Sequence, residues 1–504
     1  MDLKTFAALT SMLALHVPPL IGAQDSISID QQLDRIDRYV DARLERGRIP
    51  GAALAIVHAD SVIYLQTFGI ADPTGRPVTA ETPFILGSTT KSITATALMM
   101  LAETGLLEFD AAVTEYLPWF RTRDADRSAR ITVRHLLNHT SGISGIVGRA
   151  PLADADTSNT ALNRFVRSLS SVTLAREPGS AFEYSNANYA VLGRIMQEVS
   201  GSSFETFIEQ RIFAPLNMER SFTSQSVAER NDLATGYRFW FGHPRPAPHM
   251  PFARGVAPAG YLISTAPDLA RYLVLHLNSG TYAGEQLISD PGMMELHRPA
   301  AEMGANTSYA MGWVVQTGGE FTTIWHNGGL PNFYSFLGML PERQLGIVFL
   351  ANCLDVLAAG QFDAIPLGVA DILRGREPRV GANASFHPPL NIAVFWALVV
   401  LTWQLVWVFG SALRRRPWIV QEKHLPVSFI VELRKIGLPI LLNFGWAFAV
   451  LSLLPGASGT PFSVMKLYVP DYGFFATASV IVAVAWGTMQ VVLRVRGLLR
   501  AMPR

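Results

Sequence analysis

Three charge-free apolar runs, at residues 392–410, 436–454 and 472–493, crowd the C-terminal end of the chain and constrain it more than any other feature. Each is about 20 residues long, the length of helix that crosses a bilayer. Charge then sets the sides. The connection between the first two runs holds Arg414, Arg415, Arg416, Lys423, Arg434 and Lys435. The next connection holds only Lys466 and Asp471, and the tail holds Arg494, Arg496, Arg500 and Arg504. Lys and Arg stay cytoplasmic, so the first connection and the tail are expected inside, and the chain enters the first run from outside. The N-terminus agrees with this. Lys4 precedes a mostly apolar stretch over residues 6–21, and Gly22-Ala23 offers a small-residue cleavage point, so residues 1–23 resemble a signal peptide. Asp2, His16, Pro18 and Pro19 interrupt that pattern and keep an uncleaved N-terminal anchor open as the other reading. Either one sends the following segment across a membrane. The rival is that the apolar runs are core helices of a soluble protein.

The expected organisation is therefore a leader (1–23), a folded unit (24–380) and a membrane unit (381–504) with three transmembrane helices. At 504 residues the chain is too long for one ordinary domain. Its 41 Lys+Arg against 40 Asp+Glu give no electrostatic case for nucleic acid. Cys353 is the only cysteine, which excludes an internal disulfide and Cys–Cys metal motifs. In the folded unit, Leu33, Ile36, Val40 and Leu44 recur at helical spacing. Residues 52–57 and 62–67 read as a hairpin of strands, and 88–103 as a helix followed by Gly105. Residues 322–325, 333–339 and 345–350 read as strands, the last two joined by a turn at 341–344. Strands at both ends with helices between them predict a mainly antiparallel sheet carrying packed helices.

The chemistry concentrates in Gly87-Ser88-Thr89-Thr90-Lys91-Ser92, at the start of the 88–103 helix. Three residues of spacing put Ser88 and Lys91 on one helix face. A hydroxyl needs a neighbouring base to become a nucleophile, and a lysine whose pKa is depressed can be that base. A helix N-terminus also offers free N–H groups to a developing oxyanion. Alone, S-x-x-K equally describes a Ser N-cap beside a surface lysine. Two further motifs accompany it. Tyr184-Ser185-Asn186 begins another helical run, and His326-Asn327-Gly328-Gly329 ends a predicted strand.

The order S-x-x-K, Y-x-N, H-x-G resembles the penicillin-binding-protein-like serine hydrolases related to class C β-lactamases, which include D-alanyl-D-alanine peptidases, D-amino-acid amidases and esterases. Residues 135–142 (HLLNHTSG), 257–260 with 264–270 (APAG and STAPDLA), and Tyr309 to Trp313 are similar to further segments of that family, over roughly residues 30–360. The resemblance implies an α/β (α+β) fold of the β-lactamase/transpeptidase type. A five- to nine-stranded antiparallel sheet is flanked by helices, with a helical subdomain beside it, and here three transmembrane helices follow. It implies that Ser88 forms the acyl-enzyme and that Lys91 and Tyr184 share proton transfer. Asn186 would bond the substrate or Lys91, and the N–H groups of Ser88 and Gly329, beside Gly328, would form the oxyanion hole. Tyr184 as a core-edge tyrosine, Asn186 as a helix cap and His326 as a strand-end residue remain the plainer readings.

His326 stands where β-lactamases carry the lysine of K-T-G. Histidine titrates near neutrality, so activity is expected to change between about pH 5 and 8 if that charge matters. The same departure favours an ester, amide or D-amino-acid peptide over a β-lactam. His135 and His139 are spaced like zinc ligands, but the Glu of the H-E-x-x-H motif is missing, and no metal or cofactor is expected. G-x-S-x-G and nucleotide-binding glycine motifs do not occur. The expected partners are a small-molecule or peptide acyl substrate and a lipid bilayer. The alternative to an enzyme is a membrane-anchored sensor that binds or is acylated by a ligand without turnover. In a protease-protection assay on intact cells, the 24–380 unit is expected to be cleaved from outside; shelter on the cytoplasmic side would overturn the topology.

Overall fold

The computed structural model describes residues 29–382, 437, 440–441 and 443–501. The leader over 1–23, the first apolar run (392–410) and the basic connection after it lie outside the described residues. The second run (436–454) is described in part.

Alternation explains the sheet. Along the strand Gly51–His58 (β1), Ala53, Ala55 and Val57 face one apolar core, while Ala52, Leu54 and Ile56 face another. Successive side chains of a strand point to opposite faces, so an unbroken apolar run means cover on both sides. Seven further strands complete an antiparallel sheet. These are Ser61–Gly69 (β2), Ala301–Gly304 (β3), Thr307–Tyr309 (β4), Val314–Gln316 (β5), Thr323–Leu330 (β6), Phe333–Leu340 (β7) and Leu345–Ala351 (β8). Their order is β2-β1-β8-β7-β6-β5-β4-β3. The ends of the unit therefore meet inside the sheet, one strand from its β2 edge, where Leu54 pairs with Phe349.

Helices Ile29–Gly47 (α1) and Ala359–Leu373 (α5) cover one face through Ile36, Val40, Phe362, Ile365 and Val369. The other face carries Thr90–Glu103 (α2), Asn186–Ser200 (α3) and Ala266–Leu277 (α4). The β1–β2 hairpin, the first and last predicted helices and the three C-terminal strands fall where the sequence placed them. One boundary differs. The third strand from the end does not stop at Trp325 but runs through His326-Asn327-Gly328-Gly329 to Leu330, paired residue by residue with β7. The glycines that read as a terminator are part of the strand because the site packs against them, as described below.

Asn352 locks the sheet centre. Fully buried, it accepts from the Gly51 N–H through Oδ1 (2.8 Å) and donates from Nδ2 to the Ile70 carbonyl (3.0 Å).

Among the described residues, two helices are long and apolar enough to cross a membrane, and a bent pair adds a third. The helix over Val356–Leu373 is mostly buried and is the α5 side of the core. Helix Pro470–Ala501 (α7) is different: only 11% of its most apolar window is buried, and Phe474, Ile481 and Val482 are exposed. Residues 443–458 form the other apolar helix, which breaks and turns by 77° into the short helix Phe462–Tyr468 (α6). The second connection, expected as a plain loop, is thus largely helical.

Asn352→Ala strands two buried backbone groups, so it is expected to destabilise the unit by about 2–5 kcal/mol, read as a lowered denaturation midpoint with unchanged slope.

Candidate active site

Gly87 sits at φ +58 and opens a short 3-10 turn, Gly87–Thr89, that delivers the chain into α2. The left-handed backbone needs a glycine, and space requires it too: a Cβ there would lie 2.9 Å from Gly329 N. Across the gap, a Cβ on Gly328 would lie 2.9 Å from Ser88 N and collide with the Leu86 carbonyl. Glycine at both positions lets the β6 backbone lie against the turn that carries Ser88. In the β6–β7 ladder, Gly329 faces Tyr334 one step from the tight Leu330–Phe333 closure, a non-hydrogen-bonded position whose N–H points away from β7. The N–H groups of Ser88 and Gly329 are thereby brought side by side.

Ser88 Oγ lies within hydrogen-bonding reach of two groups, Lys91 Nζ at 3.0 Å and Tyr184 Oη at 2.8 Å. Lys91 also donates to the Ala259 carbonyl at 2.6 Å and is fully buried. The surface-lysine alternative is excluded by that burial. Desolvation holds the amine well below its usual pKa, because a charged ammonium there would lack solvation. Burial pushes the Tyr184 phenol the other way, above its ordinary value, so it keeps its proton. The site therefore sets an amine biased toward its neutral form and a protonated phenol around one hydroxyl.

Asn186 lies at the first turn of α3, but Ser185 occupies the cap position, so the capping alternative for Asn186 does not hold. In the wall of the cavity beside Ser88, its Oδ1 is buried and has no hydrogen-bond partner among the described residues. Lys91 spends its bonds on Ser88 and Ala259, which leaves Asn186 facing the cavity.

His326 is buried on β6. Its Nδ1 donates to the Asn327 carbonyl (2.6 Å), so Nε2 accepts from the Tyr309 hydroxyl (3.1 Å). Burial, then the nearby Lys91, lower its pKa to about 3. The expectation of His326 titrating between pH 5 and 8 is corrected: the ring is neutral throughout that window.

Two contributors escaped the sequence reading. Ala259 acts through a carbonyl, which no side-chain motif marks, although the 257–260 segment had been singled out. His139 had been considered as one of a pair spaced like zinc ligands. It is fully buried, its ring lies 4.3 Å from that of Tyr184, and its Nδ1 accepts from Asn188 Nδ2 (3.0 Å) and Ser185 N (3.3 Å). It fixes the segment that presents Tyr184. The signal lay in its placement within HLLNHTSG.

A family model described as beta-lactamase matches residues 36–369. The chain is 30% identical over 320 residues to Protein flp of Staphylococcus aureus (strain COL), covering 63% of this chain and 62% of that relative's length. It is 29% identical over 362 residues to penicillin-binding protein 4 of Amycolatopsis lactamdurans, covering 70% and 93%. Among solved structures, the octameric penicillin-binding protein homologue from Pyrococcus abyssi matches at TM-score 0.60 and 26% identity, over 69% of this chain and 78% of that one. A class C beta-lactamase matches at TM-score 0.58 and 20% identity, over 69% and 97%, a likeness of fold alone.

His139 and His326 are both held neutral by burial. The unfolded chain binds their protons near pH 6.5 and the folded chain does not, so stability is complete above that pH and falls as pH drops toward about 3. Unfolding free energy is expected to decline by about 1.4 kcal/mol per pH unit per histidine, and more shallowly in His326→Gln, in denaturant titrations at stepped pH.

Proposed function

The chain belongs to the beta-lactamase family, and from that premise we propose that it is a serine hydrolase working through a covalent acyl-enzyme on Ser88. One observation carries the reading: Ser88 Oγ is bonded by both Lys91 Nζ and Tyr184 Oη, beside the paired N–H groups of Ser88 and Gly329.

Lys91 is the base in this mechanism. With two amine hydrogens and a lone pair, it donates to Ala259 and takes the Ser88 proton as the oxygen attacks the acyl carbon. Tyr184 cannot start as a phenolate, since burial raises its pKa. It donates its proton to the leaving group and is reprotonated from Lys91. The carbonyl oxygen gains its negative charge between the N–H groups of Ser88 and Gly329. Water then attacks the ester, and the same relay returns the proton to Ser88. Asn186 Oδ1 is placed to accept an N–H or O–H of the acyl donor.

Neutral His326 offers no fixed cation for a substrate carboxylate, which favours an ester, an amide or a D-amino-acid peptide. The units are read as 24–380 for catalysis and 381–504 for the membrane, with catalysis outside the cytoplasm. Contacts of the second connection with the catalytic unit support that side, because the positive-inside count puts this connection outside as well. A sensor that is acylated without turnover is the second reading, and the contact between Tyr468 and Gly329 described below is what favours it. Rapid deacylation would decide for the enzyme.

Fluorophosphonate labelling of the membrane fraction is expected to mark the protein and to vanish in Ser88→Ala; persistent labelling would remove Ser88 from its role. Lys91→Arg cannot deprotonate, and kcat is expected to fall by about 10²–10⁴. In the native protein kcat/KM should rise with pH as the Lys91 amine loses its proton and drop as pH falls through that pKa, a limb absent from Lys91→Arg.

A further inference from the structure

The cavity at Ser88 has a wall from outside the catalytic unit. Besides Gly87, Ser88, Asn186, Ala259 and Gly329, it is lined by Leu152, Val256, Tyr261, Leu330 and Tyr468. Tyr468 is the last residue of α6, and its hydroxyl donates to the Gly329 carbonyl at 3.2 Å. It is also two residues before Pro470, where the apolar, largely uncovered helix α7 begins.

The approach is fastened at several points. Arg149 donates to the Gly459 carbonyl (2.6 Å) and Arg238 to that of Leu467 (3.4 Å). The Phe241 N–H donates to Asp471 Oδ2 (2.9 Å), and the Phe241 and Phe475 rings meet edge to face at 5.9 Å. Beyond these contacts, α7 exposes Phe474, Ile481, Val482 and Val492, and the preceding helix exposes Leu441, Phe448, Leu451 and Leu453. So much exposed apolar surface on two neighbouring helices demands a lipid surround. Phe474, the first exposed apolar side chain of α7, follows Tyr468 within about two helical turns.

Resting on the acyl-enzyme reading above, we propose that the site takes amphiphilic esters or amides presented from the bilayer, with Tyr468 as a substrate-facing residue supplied by the membrane unit. The cavity holds about 30 Å³ around Ser88, room for a water or two, so it takes only the reacting end of an acyl donor, and Leu152, Val256, Tyr261 and Tyr468 form its apolar rim. A long acyl chain entering there would lie against Leu152, Val256, Tyr261 and Tyr468 while its tail stays in lipid. A short soluble acyl donor gains nothing from this arrangement.

The test compares two esters with one leaving group, p-nitrophenyl palmitate and p-nitrophenyl acetate, on the full chain in phosphatidylcholine vesicles. The kcat/KM for palmitate is expected to exceed that for acetate by at least about tenfold, as buried methylenes add binding in the transition state. Tyr468→Ala is expected to lower that ratio by about tenfold, and Tyr468→Phe, which keeps the ring, to retain it. Fluorophosphonate labelling of Ser88 in every variant certifies an intact site. Equal turnover of the two esters by labelled protein, or an unchanged ratio in Tyr468→Ala, overturns the proposal. Failure to label the native protein instead brings down the acyl-enzyme reading beneath it.

Discussion

A lysine amine stripped of water organises this protein. Lys91 is fully buried, and desolvation alone accounts for its depressed pKa. An unpaired buried ammonium would cost several kcal/mol, so burial biases the group toward its neutral form, and a neutral amine is the form that accepts a proton. The surroundings are arranged for that state. The α2 side chains from Thr90 to Leu101 are all buried, so the helix is enclosed on every side. The Ala259 carbonyl takes one amine hydrogen and Ser88 lies on the other side. Stability and reactivity are not opposed here: burial is what supplies the base.

The sheet provides the second constraint, that of close approach. Strand β6 lies against the Gly87–Thr89 turn because neither Gly87 nor Gly328 has a Cβ to keep them apart. Ser335 on β7 reinforces the contact, its hydroxyl reaching the Leu86 carbonyl and pairing with Thr89 Oγ1 at 2.8 Å. The turn is thus tied to the main sheet. A nucleophile held on such a frame loses little freedom on reaction, and fixed N–H groups serve an oxyanion without reorganising.

The legible part of the site was the part written in side chains with distinctive chemistry. Ser88, Lys91 and Tyr184 announce themselves by type and order, and they meet at 2.8–3.0 Å. What stayed hidden has physical reasons. Ala259 contributes a carbonyl, which every residue has. The His326 charge depends on burial, and alternation along a strand does not reveal whether both faces are covered. Asn186 sits one residue inside the cap position, which Ser185 holds with its hydroxyl turned to the Ser144 carbonyl (3.0 Å). The β6 boundary was misplaced because glycine usually weakens a strand, yet here it serves another backbone's approach. Tyr468 lies outside every pattern, in a segment whose Pro and Gly residues read only as a connector.

That connector shows how irregular backbone is tolerated next to lipid. Gly459 and Pro461 break the apolar helix after residue 458, with Gly459 in the left-handed conformation at φ +60. A break frees carbonyls, and hydrocarbon offers them no partner, so such backbone survives only where protein or water supplies one. The catalytic unit supplies it: Arg149 bonds the Gly459 carbonyl and Arg238 that of Leu467. Long guanidinium side chains suit the task, reaching across an apolar surface while keeping their heads hydrogen-bonded. The turn of 77° then points α6 along the protein surface, which is how Tyr468 comes to lie against Gly329. Breaking the helix and lining the cavity are one structural act, since a straight span would carry residue 468 away from the catalytic unit.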